Sequence, residues 1–182
     1  MKSVGRRIKV FPVRGKFVAV LSGHLLSSPD ELVTAVSGGQ RRATVQAFDA
    51  DSIAGAEHLL HSVTLAISGW EAGRRFTRRF ELELLCYAAA DHQISEAIKK
   101  VGVGRRTSKV VLVSLAGKGE EAAGALRGLA ERIRVRPDPG VLEVNPEKKR
   151  RLRRIFRISK RELEAAGLED LILERIASLS LL

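Results

Sequence analysis

The sequence contains little cysteine, tryptophan or proline. It contains one Cys and one Trp, with five Pro, among 182 residues. The lone cysteine, Cys86, excludes an internal disulfide, and its position in an apolar run predicts a small buried side chain rather than a reactive thiol. No apolar stretch approaches the roughly 20 residues that a membrane-spanning helix needs. We therefore expect no membrane-spanning segment, and we predict that the chain has no membrane partner.

The first residues are basic, which is one feature of a signal peptide. Lys16 interrupts the apolar region that follows, and only Phe17 to Leu21 remain unbroken, which is short for such a signal. We therefore expect a cytoplasmic protein.

Positive charge is the largest departure from an ordinary composition. Thirty-two Lys and Arg against 21 Asp and Glu give a net charge of +11, which favours polyanionic partners, nucleic acid first and an anionic membrane second. Between Asn145 and Arg161 there are nine basic residues and one acidic residue. The alternative is a thermophilic or arginine-rich surface without a specific partner.

The hydrophobic pattern predicts a mixed α+β (α/β) fold. A single central β-sheet is packed by helices, and the basic, helix-rich C-terminal portion starts at about residue 145, all in one domain over residues 1–182. Strands are expected in 9–20 around a turn at 14–16, in 43–49 and in 109–115. Helices are expected in 29–36, 56–68, 80–90, 95–101, 120–133 and 168–177, with two more starting near 146 and 160.

Side chains that can start or end a helix set the boundaries. Ser28, Asn145 and Ser159 are expected to cap helix N-termini, and Asp91 to cap the helix at 95–101. Residues 69–73 are predicted to form a loop, and residues 135–140 a rigid turn.

Patterns that carry catalysis or bind metal are weak. His58 and His61 have helical spacing and could reach one metal ion, but zinc needs three or four ligands and no motif supplies the others. Histidines in the core or at a helix end are the simpler interpretation. Gly117-Lys118-Gly119 lacks the Walker spacing, and Cys86 has no evident activating partner. We therefore predict no catalytic residue, no metal and no cofactor.

Three stretches in a fixed order resemble a known family. They are Phe48–Leu59, Arg78–Ala89 and His92–Val103. Together they give an apolar helix that carries acids, a polar step ending in Gln93-Ile94, and a helix closing on Gly102-Val103. The chain is thereby similar, over nearly its whole length, to the Cgi-type (TPRKB-like) small subunit of the KEOPS tRNA-modification complex.

This resemblance implies a compact accessory subunit without a catalytic centre. Members of the family bind the small atypical kinase of the complex, and archaeal members also hold the single-stranded CCA end of tRNA. The complex installs threonylcarbamoyl-adenosine beside the anticodon, and its catalysis lies in other subunits. The expected partners are therefore tRNA, through its acceptor end, and the KEOPS kinase subunit.

The sequence offers residues suited to a single-stranded RNA end, which basic groups and flat or apolar surfaces hold. On a helix, Arg75 and Arg79 would share a face, as would Arg74 and Arg78. The residues predicted to bind tRNA are Arg75, Arg78, Arg79, Gln93, Ile94 and Lys99. The alternative places Ile94 and Phe76 in the core, the arginines on a solvated face and Gln93 at a helix cap.

The basic run at 148–157 suggests a second, sequence-independent contact. Arg150, Arg151 and Arg154 are candidates for touching the body of the tRNA, and a solvated helix face is the alternative. The apolar helix at 168–179 is either core or interface. Two other functions stay open: an enzyme acting on nucleic acid through its histidines, and a structural scaffold whose charge is incidental.

Overall fold

A computed structural model describes residues 2–5, 7–38 and 42–181. The strands are β1 (Lys9–Val13), β2 (Lys16–Leu25), β3 (Thr44–Asp49), β4 (Lys109–Ala116) and β5 (Val135–Pro137). The helices are α1 (Lys2–Gly5), α2 (Pro29–Ser37), α3 (Gly55–Glu71), α4 (Phe80–Ala89), α5 (Ile94–Val101), α6 (Gly119–Arg132), α7 (Pro146–Ile155), α8 (Lys160–Ala165) and α9 (Leu168–Leu179). Short 3-10 turns lie at Ala50–Ser52 and Pro139–Leu142. The predicted mixed α+β class with a central sheet is confirmed.

The chain divides into two compact units, each made of two segments. The sheet unit comprises residues 1–50 and 103–141, and the helical unit comprises residues 51–102 and 142–182. The assignment of residues 1–182 to one domain stays a prediction. All of the residues predicted to bind tRNA lie in the helical unit.

The sheet unit is built on an antiparallel sheet in the order β1-β2-β4-β3. The β1–β2 hairpin turns at Arg14 and Gly15, whose φ angles are 46° and 72°, as a tight turn between two twisted antiparallel strands requires. Helix α6 packs against β2 and β4. The buried core of this unit includes Leu21, Leu112, Leu126 and Leu129.

Strand β5 replaces the rigid turn that the sequence predicted at 135–140. That prediction is wrong for residues 135–137, which pair with β2 at Gly23, His24 and Leu25. The backbones of β2 and β5 approach so closely at Gly23 that an added Cβ would lie 2.2 Å from the carbonyl oxygen of Arg136. Glycine at a strand position often marks such a close approach.

The helical unit buries the apolar faces of α3, α4, α7 and α9. Its core includes Ala66, Tyr87, Leu152, Phe156, Ile172 and Ile176. Helix α9 contributes Leu168, Leu171, Ile172, Ile176 and Leu179, each at most 7% exposed. The apolar face of this helix is therefore core. Cys86 is buried as predicted, and burial raises the pKa of its thiol to about 12.

The structure confirms three predicted N-caps. Each depends on two groups only three residues apart, so the sequence was sufficient to predict it. The side chains of Ser28, Asn145 and Ser159 accept hydrogen bonds from backbone N–H groups in the first turns of α2, α7 and α8. At α5 the prediction is wrong: Gln93, not Asp91, is the N-cap residue. Asp91 lies two residues earlier and accepts from the N–H of Gln93 at 3.0 Å.

No helix within the described residues is both long enough and apolar enough to cross a membrane.

Candidate nucleic-acid interface

The predicted arginine cluster lies on a loop between two helices. Helix α3 ends at Glu71 and α4 begins at Phe80, so residues 72–79 form a connection that we call the arginine loop. Arg75, Arg78 and Arg79 are all exposed on it. The prediction that Arg75 and Arg79 share a helix face is therefore wrong, as it is for Arg74 and Arg78.

Helix α3 also extends through Gly69 and Trp70, which the sequence assigned to a loop. The glycine is needed for packing rather than for a turn. A Cβ at Gly69 would lie 2.7 Å from the hydroxyl of Tyr87 and 3.3 Å from the carbonyl oxygen of Arg74. The N–H of Arg74 then donates to the carbonyl of Gly69 at 2.9 Å. The arginine loop thus folds back against the last turn of α3.

A buried carboxylate holds the arginine loop in place. Glu83 in α4 is 0% exposed. Its oxygens accept from the N–H of Phe76 at 3.0 and 3.1 Å and from the N–H of Thr77 at 2.9 Å. The hydroxyl of Thr77 lies 3.0 Å from the same carboxylate and 2.8 Å from the carbonyl oxygen of Arg79. Buried polar groups need such partners, so these bonds fix the loop backbone.

Aromatic rings support the two ends of the arginine loop. The guanidinium carbon of Arg75 lies 5.1 Å from the ring centre of Trp70, within cation–π range. The Trp70 ring meets Phe80 edge to face at 5.6 Å. Arg79 forms an ion pair with Glu81 and keeps 55% of its side chain exposed. Both arginines are therefore oriented by contacts while remaining accessible.

Phe76 brings the arginine loop beside the connection between α4 and α5. Its ring centre lies 5.7 Å from that of Tyr87 and 6.4 Å from that of His92. His92 directly precedes Gln93. The loop that carries Arg75 and the step that carries Gln93 are thus neighbours, as a shared site for one RNA end requires.

The Gln-Ile step begins helix α5. Gln93 is exposed and its side chain makes no capping bond, while Ile94 is half-buried. Burial raises the pKa of Asp91, but hydrogen bonds from Lys100, 2.9 Å away, and from Gln93 outweigh it and leave that pKa below its ordinary value. The start of α5 is therefore fixed by an ionised carboxylate.

Lys99 lies apart from the apolar side of α5. It is five residues beyond Ile94, which turns it by roughly 140° around the helix, and its ammonium pairs with Glu96 at 2.7 Å. Ile98, four residues beyond Ile94 and 48% exposed, shares the face of Ile94 instead. The structure therefore associates Ile94 with Ile98 more closely than with Lys99.

Helix α7 divides its predicted arginines between two roles. The guanidinium of Arg151 donates to the buried hydroxyl of Ser52 at 2.8 Å. Arg150 and Arg154 are exposed and, four residues apart, share one face. Of the three candidates for the tRNA body, these two present accessible cations.

His58 is a core residue with both ring nitrogens bonded to the backbone. Nδ1 lies 3.0 Å from the N–H of Ala54, which can only donate, so Nδ1 accepts and Nε2 carries the proton. Nε2 donates to the carbonyl of Ala88 at 2.8 Å. Burial lowers the pKa of His58 to about 4, so the ring is neutral near pH 7. The interpretation of His58 as a core histidine is confirmed.

The sequence placed Phe76 near the arginines but did not identify Glu83 or Thr77 as parts of this site. A signal was nevertheless present, because Glu83 lies inside the nearly continuous apolar run at 80–90 and directly precedes its buried part at 84–89. A carboxylate inside such a run must be hydrogen-bonded within the protein. The identity of its partners depends on the fold of the arginine loop, which local spacing does not reveal.

Comparison with known proteins gives two matches. A family model described as "Kinase binding protein CGI-121" matches residues 24–180. A curated relative, "Regulatory protein Cgi121" of Methanocaldococcus jannaschii, is 32% identical over 136 residues, which cover 75% of this chain and 83% of the relative. The sequence resemblance of the arginine loop, α4 and α5 thus lies within a match that spans most of both chains.

Proposed function

The chain belongs to the CGI-121 family of kinase binding proteins, and from this membership we propose that it is a non-catalytic accessory subunit of a KEOPS-type complex. In this proposal it acts in the cytoplasm, binds the small atypical kinase of the complex and holds the 3′ CCA end of tRNA. The modification is threonylcarbamoyl-adenosine, made by the other subunits. The family description and the name of the relative, a regulatory protein, support the accessory role and the kinase partner.

The observation that carries the RNA part is the contact of Phe76 with His92. It sets exposed arginines beside an exposed amide and a partly exposed aliphatic side chain. Guanidinium groups suit phosphate oxygens, and flat or apolar surfaces suit bases that have left a helical stack. In our proposal Arg75, Arg78 and Arg79 bind phosphates, Gln93 meets a base edge and Ile94 packs on a base.

Lys99 has a more distant role in this proposal. Its ion pair with Glu96 and its position around α5 separate it from Ile94. It adds to the electrostatic attraction of the strand rather than contacting the terminal bases. Ile98 extends the apolar surface that begins at Ile94.

The test compares intact tRNA with tRNA trimmed of its CCA nucleotides. We expect the wild-type chain to bind intact tRNA more tightly, and Arg78→Glu and Ile94→Glu to remove most of that difference. Arg161→Glu and Val33→Glu are matched controls, because both positions are exposed outside the proposed site. Binding should be measured by fluorescence anisotropy at fixed ionic strength, since phosphate contacts depend on salt.

Two results would contradict the proposal. Equal affinity for intact and trimmed tRNA, unchanged in both site variants, would show that the CCA end is not held here. Weak binding to any polyanion, lost at moderate salt, would favour a scaffold with incidental charge.

A further inference from the structure

A groove along helix α7 is lined by cationic and aliphatic side chains. Its volume is about 430 Å³, and its lining residues are Arg150, Arg153, Arg154 and Ile158. The arginines are spaced three and four residues apart, so they converge on one face of the helix. Within residues 2–5, 7–38 and 42–181, no carboxylate pairs with any of these guanidinium groups.

Arg153 supplies an observation that points to a ligand. Its Nε is enclosed and has no hydrogen-bond partner in the described part of the chain. A buried donor without an acceptor is unfavourable and rare in folded proteins. An oxyanion in the groove would accept from the exposed guanidinium groups of Arg150 and Arg154, and a small movement of the Arg153 side chain would bring its Nε–H to the same oxyanion.

The groove lies near the C-terminal end of α7, where free carbonyl groups would repel an anion. Here those carbonyls are occupied. The carbonyl of Arg153 accepts from the N–H of Ile158 at 2.9 Å, and that of Arg154 accepts from the N–H of Arg157 at 3.3 Å. This closing turn depends on a left-handed Arg157, at φ 52°. The repulsion is thereby reduced, and the guanidinium groups dominate the local charge.

We propose that this groove binds one phosphate group of an RNA backbone, away from the terminal bases. The proposal rests on tRNA being the partner. The lining side chains offer hydrogen-bond donors and an aliphatic surface but no acceptor. A phosphodiester presents only acceptor oxygens, whereas an acidic peptide would also bring amide N–H groups that these side chains cannot satisfy.

The first experiment counts phosphates through the salt dependence of intact tRNA binding. Each phosphate contact contributes roughly 0.9 to the log–log slope with salt on a B-form DNA duplex, and we use this value for tRNA. Because several arginines share one phosphate, the double variant Arg150→Gln with Arg154→Gln should lower the slope by only about 0.9 in total. Two independent surface contacts would lower it by about 1.8. Both side chains are exposed, so the fold should persist.

Arg161→Gln is the matched control, since it removes one exposed charge from α8 outside the groove and should leave the slope unchanged. An unchanged slope in the double variant, or a loss of about 1.8, would overturn the one-phosphate groove. Neither result would affect the difference between intact and trimmed tRNA, which tests the CCA end separately. A wild-type chain that binds no tRNA would overturn both proposals.

The second experiment needs no RNA. In an NMR titration with inorganic phosphate, the Nε–H signal of Arg153 should shift in the wild type and in Arg161→Gln, and should fail to shift in the double variant. A shift that persists in the double variant would overturn the groove as the site. Displacement of phosphate by poly-glutamate but not by tRNA would assign the groove to a protein partner and also overturn the proposal.

Discussion

Replacement of Glu83 tests whether one buried carboxylate organises the arginine loop. In Glu83→Ala the N–H groups of Phe76 and Thr77 lose their acceptor, while the hydroxyl of Thr77 can still donate to the carbonyl of Arg79. An unsatisfied buried N–H costs about 1–3 kcal/mol. Removing the carboxylate also removes the cost of burying its charge, which offsets part of the lost free energy. We expect the free energy of unfolding to fall by about 2–5 kcal/mol.

Glu83→Gln separates charge from shape. The amide keeps one carbonyl oxygen as an acceptor but turns an NH2 group toward backbone donors. We therefore expect the free energy of unfolding to fall by about 1–3 kcal/mol. Glu57→Gln is the control, because Glu57 is an exposed carboxylate in the first turn of α3, and its loss should stay within about 0.5 kcal/mol.

The assay is urea unfolding at constant pH together with hydrogen exchange of individual amides. Glu83→Ala should speed exchange at Phe76 and Thr77 more than at amides inside α4, because the loop loses its anchor first. A free energy of unfolding for Glu83→Ala within about 0.5 kcal/mol of the wild-type value would show that Glu83 does not anchor the loop. Unchanged hydrogen exchange at the amides of Phe76 and Thr77 would contradict the anchoring role in the same way.

Two further perturbations test the helical unit. Burial lowers the pKa of His58 from 6.5 to about 4, so its stabilisation is complete above pH 6.5 and is lost as pH falls toward 4. The loss is about 3 kcal/mol, and His58→Gln should flatten this part of a stability–pH profile, whereas an equally steep profile would contradict it. Ala90 ends α4 at φ 48°, where glycine avoids a Cβ penalty. Ala90→Gly should therefore raise the unfolding free energy by about 0.5–1 kcal/mol, whereas the control Ala89→Gly, at the buried last residue of α4, should lower it in the same urea titration.

The sequence predicted those elements whose causes are local. Ser28, Asn145 and Ser159 each bind a backbone N–H three residues later, so the spacing alone was sufficient. The β1–β2 turn at Arg14-Gly15 is equally local. The order of strands and helices followed from hydrophobic periodicity, which persists wherever an element buries one side.

The wrong predictions concern features that depend on contacts between residues far apart in the sequence. Strand β5 exists because residues 135–137 pair with residues 23–25, and no pattern within 135–140 reports that partner. Gly69 was taken as a loop residue because glycine usually marks one, but it is needed where α3 meets Tyr87 of α4. In the same way, the sequence assigned Arg75 and Gln93 to one tRNA-binding set, but it gave no sign of the ring contact between Phe76 and His92 that makes their segments neighbours.

Buried polar groups in the helical unit act mainly on its connections. Glu83 binds the arginine loop, His58 joins the backbone before α3 to the end of α4, and Lys148 donates to the carbonyl of Leu142 at 3.1 Å. Burying such groups is unfavourable unless they form hydrogen bonds. They therefore favour the one conformation of each connection in which those bonds are made. Exposed arginines on a fixed loop lose less conformational entropy on binding than arginines on a flexible tail. In the proposed function, the arginine loop would therefore bind a phosphate chain more tightly than its charge alone would give, and that gain would depend on Glu83.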